Sequence, residues 1–256
     1  MCPRVNQAIF AVCCVFKVSC GIISNLVYSI HMSDHCYTIR KTARPPELHG
    51  LWNGPAWGET LFLNIGCFRP EGTSHRPFVR CKMLYDDSHF YGLFLVRDRY
   101  VRCVHTGYQA SVYEDSCVEL FVQPRPDKGY FNFEFNCGGA LLASYVTDPA
   151  RIDGQVAEAA LLSLEEGRQV AVYGSLPSII EPEMENEVTW LLEFSIPFAL
   201  LQSYTGGIGK VEGQKWRGNL YKCGNKTSHP HWASWAPLSA RNFHAPWDFG
   251  VLRFAP

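Results

Sequence analysis

Charge, helical periodicity and metal-ligand spacing are all scarce in this chain. Only 18% of the 256 residues are charged, and the formal net charge is −1. No basic cluster stands out, which argues against nucleic acid as a main partner. An apolar fraction of 47% is ample for a core, and 14% of residues are aromatic, so the low charge does not signal disorder. The eleven cysteines contain no C-x-x-C, so spacing gives no support for a zinc site. There is no G-x-S-x-G, no H-E-x-x-H, no phosphate loop and no dinucleotide fingerprint. Residues 32–256 hold no linker, repeat or low-complexity run, which predicts one domain.

The first 31 residues are treated apart. From Val5 to Ile30 the chain is nearly all apolar or small, with Lys17 its only charge. Three readings fit. A signal peptide would use Arg4, the apolar run Ala8 to Phe16 and a cleavage site near Ser19-Cys20-Gly21. A membrane anchor would place Lys17 in the bilayer at a cost of roughly 2.5–3.5 kcal/mol. A start at Met32 would leave the stretch outside the natural protein. Export or anchoring follows from the first two readings, a cytoplasmic protein from the third. Cys36, Cys67, Cys81, Cys103, Cys117, Cys137 and Cys223 lie beyond this stretch. Their odd number leaves at least one thiol free of internal disulfides. Cys81 and Cys117 fall in apolar strand patterns, where a reduced cysteine packs as a small hydrophobe. The expectation is mostly reduced, structural cysteines.

The remaining sequence is rich in short alternating runs. Ser111 to Tyr145 predicts three strands: Cys117 to Val122, Tyr130 to Asn136 and Ala140 to Tyr145. In the second, Phe131, Phe133 and Phe135 alternate with Tyr130, Asn132, Glu134 and Asn136. A period of two sends the rings to one sheet face and the polar groups to the other. Pro77 to Tyr85 and Phe90 to Val96 read as a hairpin around Asp86-Asp87-Ser88. Further strands are expected at Cys36 to Lys41, Leu61 to Ile65, Gln169 to Leu176, Glu187 to Ile196, Lys215 to Cys223, His231 to Trp235 and Phe249 to Phe254. Phe198 to Tyr204 reads as a helical turn. Only the Asp148 to Gly167 segment has helical character, as a short helix or a loop across the domain end. Trp52 and Trp57 read as a lid on the core, with a sugar-stacking shelf as the alternative. About a dozen short strands with almost no helix predict an all-β, antiparallel β-sandwich of jelly-roll type.

Four segments resemble the family 9 carbohydrate-binding modules. They are Tyr85-Asp86-Asp87 with the strand leading to Asp98; Glu114-Asp115-Ser116-Cys117-Val118-Glu119; Tyr130 to Asn136 with Gly138-Gly139; and the C-terminal run. That run comprises Gly218 to Gly224, His231 to Pro237, Asn242 to Pro246 and Phe249-Gly250. Trp190 to Pro197, with Glu193, adds a fifth feature. The resemblance covers nearly all of 32–256. It implies a non-catalytic sandwich that holds a sugar between two aromatic side chains, in support of the breakdown of polysaccharides such as xylan or cellulose. Carried over residue by residue, the aromatic pair is Tyr113 and Phe243. Better-known members have tryptophan at both places. Glu119, Asn132, Glu134 and Asn136 become polar contacts, and Glu134 stands where those members are basic. Asn219, Lys222, His231, Trp235 and His244 join them by the same analogy. A structural calcium ion, known in family members, would draw on Asp98, Glu114 and Asp115, which offer oxygens of the right kind.

The chemistry of such a site is sensible. A pyranose packs its C–H face on rings, and its hydroxyls require donors and acceptors set around the rim. Buried carboxylates such as Glu119 and Glu134 are costly unless they pair or bind something. The structural alternative pairs them with Lys222 or Arg217. Two other functions remain open. A glycosidase would use Glu119 and Glu134 at separations of roughly 5–5.5 or 6.5–9.5 Å. A haem-binding relative of the sandwich would need an axial His or Met, for which Met83 and Met184 are the mid-chain methionines. Oligomeric state is not legible.

Overall fold

The computed structural model describes residues 35–256, and the three readings of the N-terminal stretch lie outside them. Sixteen strands occur among the described residues. In chain order they are β1 (Cys36–Lys41), β2 (Leu63–Asn64), β3 (Cys67–Phe68), β4 (Phe78–Tyr85), β5 (His89–Asp98), β6 (Val101–Cys103), β7 (Cys117–Gln123) and β8 (Tyr130–Asn136). Then follow β9 (Leu141–Ile152), β10 (Gln155–Leu161), β11 (Ala171–Gly174), β12 (Ile180–Met184), β13 (Val188–Pro197), β14 (Lys215–Cys223), β15 (Trp232–Ser234) and β16 (Gly250–Phe254). Two short helices, α1 (Leu164–Gly167) and α2 (Phe198–Thr205), and single 3-10 turns at Val112–Glu114 and Pro246–Asp248 join them.

The strands form an all-β, mostly antiparallel sandwich. One sheet runs β10-β9-β8-β7-β14-β16-β1, and the other runs β1-β4-β5-β13-β11. Strand β1 belongs to both. Cys36 to Ile39 pair with β16, and Arg40 and Lys41 pair with β4. A strand that changes sheets makes the corner of the sandwich. The inner faces meet where the alternation puts the large rings. Phe131, Phe133 and Phe135 are fully buried, and Phe135 stacks on Phe194 of β13, with centroids 5.1 Å apart. Gly92 lies beneath Phe194: a Cβ there would fall 2.1 Å from the ring, so only glycine permits this packing. At the sandwich end Lys222, on the inner face of β14, reaches Asp98 of β5 at 3.2 Å, both side chains being fully buried.

One expectation is overturned. Residues 155–161 are not helical but form β10, paired with β9. Asp153 and Gly154 both have positive φ, 49° and 81°, in the two-residue turn between these strands. An Asp-Gly turn of this hand matches the strand twist and favours a hairpin over a helix. Within the 148–167 segment helix is confined to α1, which opens with a capping box between Ser163 and Glu166.

Trp52 and Trp57 form the expected lid, over the outer face of the second sheet. Trp57 Nε1 donates to buried Glu193 at 2.7 Å, and Lys82 Nζ donates to the carbonyls of Trp52 and Trp57.

Candidate functional site

The outer face of the first sheet is the floor of an open cleft of about 860 Å³. Strands β7, β8 and β9 supply its base. Glu119 lies directly across from Glu134, Phe121 from Asn132, and Asn132 from Ser144. The β9–β10 hairpin forms one wall and contributes Arg151. The opposite wall comes from the 241–244 loop, from Asn225 and from Trp232 at the start of β15.

Tyr113, Phe243 and Trp232 stand around the cleft, and Phe121 and the His244 imidazole also line it. Tyr113, on the single turn Val112–Glu114, is 36% exposed. Phe243 is half-buried and stacks on Tyr221 with centroids 4.1 Å apart. Trp232 is held by Nε1 donating to Asn225 Oδ1 at 2.7 Å, and Arg241 lies over its ring at 4.9 Å. Such rings offer apolar faces at the edge of a polar floor.

The floor carries two carboxyls that are almost fully buried. Glu119 is 2% exposed, and its nearest donor is the Cys223 thiol, 3.1 Å away. Burial pushes its carboxyl well above the ordinary carboxylate range, and Cys223 and Glu134 push it further. Glu134 accepts from Asn132 Nδ2 at 2.7 Å, yet its Oε2 is buried without a hydrogen-bond partner. Burial raises its carboxyl to about 7, against the opposing pull of Asn132 and Arg151. The two carboxyls therefore titrate as a pair and hold on to protons. His244 bonds Tyr130 Oη through Nδ1 at 2.8 Å, and burial with nearby Arg151 lowers its pKa to about 3. It is neutral at pH 7.

The structure brings together Tyr113, Glu119, Asn132, Glu134, Phe243 and His244 from the expected set. It places the other five elsewhere. Asn136 is fully buried and bonds the carbonyl of His105 and the carboxylate of Asp115. Asn219 clamps the backbone of Ala236 through both its amide atoms. Lys222 pairs across from Val118, on the core side, so it cannot partner Glu119, which pairs with Tyr221. His231 accepts from Lys222 Nζ at 2.8 Å and donates from Nδ1 to the His229 carbonyl. Trp235 is buried against His35. Nor does Arg217 pair with either carboxylate; it donates to the carbonyls of Trp247 and Phe249.

The three calcium candidates do not share an ion. Asp98 is matched to Lys222 and His75, Glu114 to Lys226 and His105, and Asp115 to Arg102. Oxygens already committed to separate cations do not fit a calcium cage. Met83 is buried in the core, whereas Met184 is 37% exposed on β12, and neither lines the cleft.

Arg151, Trp232, Arg241, Ser144 and Phe121 were not anticipated. Arg151 lies in the segment read as helix or loop. Trp232 follows from register: it pairs with Cys223, whose side chain is on the cleft face, so Trp232 shares that face.

A sandwich with an aromatic and polar cleft on one sheet face has the architecture of a ligand-binding module. The chain belongs to carbohydrate-binding family 9, whose family model matches residues 58–254. Solved structures agree. A candidate carbohydrate-binding protein from Bacteroides uniformis is 29% identical, over 86% of this chain and 98% of its own, with a TM-score of 0.75. Two structures of a family 9 carbohydrate-binding module from Caldicellulosiruptor kristjanssonii share the fold at 13% identity. The complex with cellotriose covers 86% of this chain and 94% of its own, with a TM-score of 0.57. The complex with glucose covers 85% and 95%, with a TM-score of 0.52. No curated protein matches the sequence.

Proposed function

We propose that the cleft over β7, β8 and β9 binds a sugar unit without cleaving it, in support of polysaccharide breakdown. The observation that carries this reading is the convergence of Tyr113, Trp232 and Phe243 around the polar floor of Glu119, Asn132 and Glu134. The rings pack on the C–H face of a pyranose. Protonated Glu119 donates to a hydroxyl, while Glu134 Oε2, which lacks a partner, accepts from one. Arg151 and Arg241 bring positive charge to the rim. They supply from the walls the cationic contact that other members place at the Glu134 position. Binding is favoured over glycoside hydrolysis by the family model, which is that of a carbohydrate-binding family, and by the near-complete burial of Glu119, 2% exposed with the Cys223 thiol 3.1 Å away.

Calorimetric titration with cello- and xylo-oligosaccharides, guided by a glycan array, tests the reading. Tyr113→Ala and Trp232→Ala each weaken binding at least about tenfold, a loss of about 1.4 kcal/mol, with unchanged circular dichroism. Saturable binding that neither variant alters would remove the sugar from this cleft. Reducing sugar released by the wild type and lost in Glu119→Gln would instead establish a glycosidase.

A further inference from the structure

Beneath the same floor Glu119 is joined by two thiols that sugar binding does not use. Cys117 and Cys223 face each other across β7 and β14, and Glu119 follows two residues after Cys117 on the same face. One ligand atom from each, two thiol sulfurs and a carboxylate oxygen, lie within 4.8 Å of one another. We propose that Cys117, Cys223 and Glu119 bind a single thiophilic divalent cation of the zinc class, with its fourth position open to the cleft.

Geometry supports this. A tetrahedral zinc ion with Zn–S near 2.3 Å and Zn–O near 2.0–2.2 Å holds its ligand atoms roughly 3.3–3.8 Å apart. The Cys223 Sγ to Glu119 Oε1 distance is 3.1 Å and all three ligand atoms lie within 4.8 Å of one another, so shifts of about 1 Å or less bring them to one ion. Glu119 and Cys223 line the cleft, which gives the ion its route in. Glu134 provides an independent sign. It is 6% exposed, its Oε2 lacks a partner, and its charge acts on both Cys117 and Glu119. A buried carboxylate oxygen without a hydrogen-bond partner, directly across from a second carboxyl, marks a place short of positive charge. Uptake exchanges the two thiol protons and the Glu119 proton for the ion, and the protons leave to solvent.

Among the described residues, the other cluster with metal-like ligands lacks this property. His75, Asp98 and His231 also converge, but the Lys222 ammonium already stands there, 3.2 Å from Asp98 and 2.8 Å from His231. A divalent ion would have to displace a buried charge.

The test is cobalt titration of the reduced, metal-stripped protein. One equivalent of Co²⁺ produces thiolate-to-metal charge-transfer absorption with the visible bands of tetrahedral cobalt, and Zn²⁺ displaces it. Cys117→Ser and Cys223→Ser each abolish the charge-transfer band, whereas Cys137→Ser, at a buried thiol outside the cluster, leaves it intact. The Tyr113→Ala variant also retains it, so this outcome is separable from that of sugar binding. Absence of the band in folded wild-type protein, or its survival in both thiol variants, overturns the site. So does a Cys117–Cys223 disulfide in the protein as purified.

Discussion

Replacing Lys222 with methionine lowers the unfolding free energy by about 3–5 kcal/mol at pH 7, the usual cost of breaking a buried ion pair. Methionine fills the same volume between the sheets but leaves the Asp98 carboxylate, 1% exposed, with His75 as its main partner. It also removes the donor that His231 Nε2 faces. The loss depends on pH in a defined direction. Burial alone would raise the Asp98 carboxyl, but Lys222 and the His75 hydrogen bond overcome this and hold it at about 2, below its ordinary 3.8. A depressed carboxyl contributes stability above its unfolded pKa and loses it as pH falls through the folded one. That contribution is about 2 kcal/mol here, at about 1.4 kcal/mol per unit. In Lys222→Met burial is less opposed, so Asp98 takes up its proton at higher pH and relieves the strain. Urea denaturation between pH 7 and pH 3 therefore shows the gap between wild type and variant narrowing on acidification. Adding Asp98→Asn to Lys222→Met recovers much of the loss at pH 7. A gap that stays constant across this range would show that packing, not charge, is what Lys222 contributes.

Lys222 also shows where sequence reading stopped. The alternation in Tyr130 to Asn136 places the Phe rings in the core and the polar groups on the cleft face, because a period of two needs only local information. The limits of β1, β8 and β14 were legible for the same reason. Facing across strands is different: it depends on register, and a slip of one residue reverses every side chain. Family analogy grouped Lys222 with Glu119, yet their strands pair so that Tyr221 opposes Glu119 and Lys222 turns inward. The same rule places Trp232 in the cleft and Trp235 in the core. Arg151 was hidden for another reason: the run of Ala, Leu and Glu after Gln155 suggests helix locally, while the Asp153-Gly154 turn and pairing with β9 decide for strand. The Cys117, Glu119 and Cys223 cluster could not be found by spacing, since β7 and β14 are neighbours only in the folded sheet.

Glu134→Gln stabilises the metal-stripped protein by about 3 kcal/mol at pH 8 and above, and by almost nothing at pH 4.5. Burial raises the Glu134 carboxyl from 4.5 to about 7 in the folded chain. A group raised in this way contributes its full stability below the unfolded pKa and loses it as pH rises through the folded one. The difference of about 2.5 units converts to about 3 kcal/mol. Glutamine carries no such cost, and its carbonyl still accepts from Asn132 Nδ2 where Glu134 Oε1 does now. The stability gain appears over the pH range in which the wild-type carboxyl ionises, and denaturation midpoints measured with EDTA from pH 4.5 to 9 trace it. Sugar affinity moves the other way at pH 8, because the acceptor that reaches for a hydroxyl has become an amide donor. A variant more stable yet weaker in binding is what a site held in an unfavourable state for the sake of its ligand produces. A stability difference independent of pH would mean that Glu134 does not ionise in the folded protein, and the accepting carboxylate would then have to be found elsewhere in the cleft.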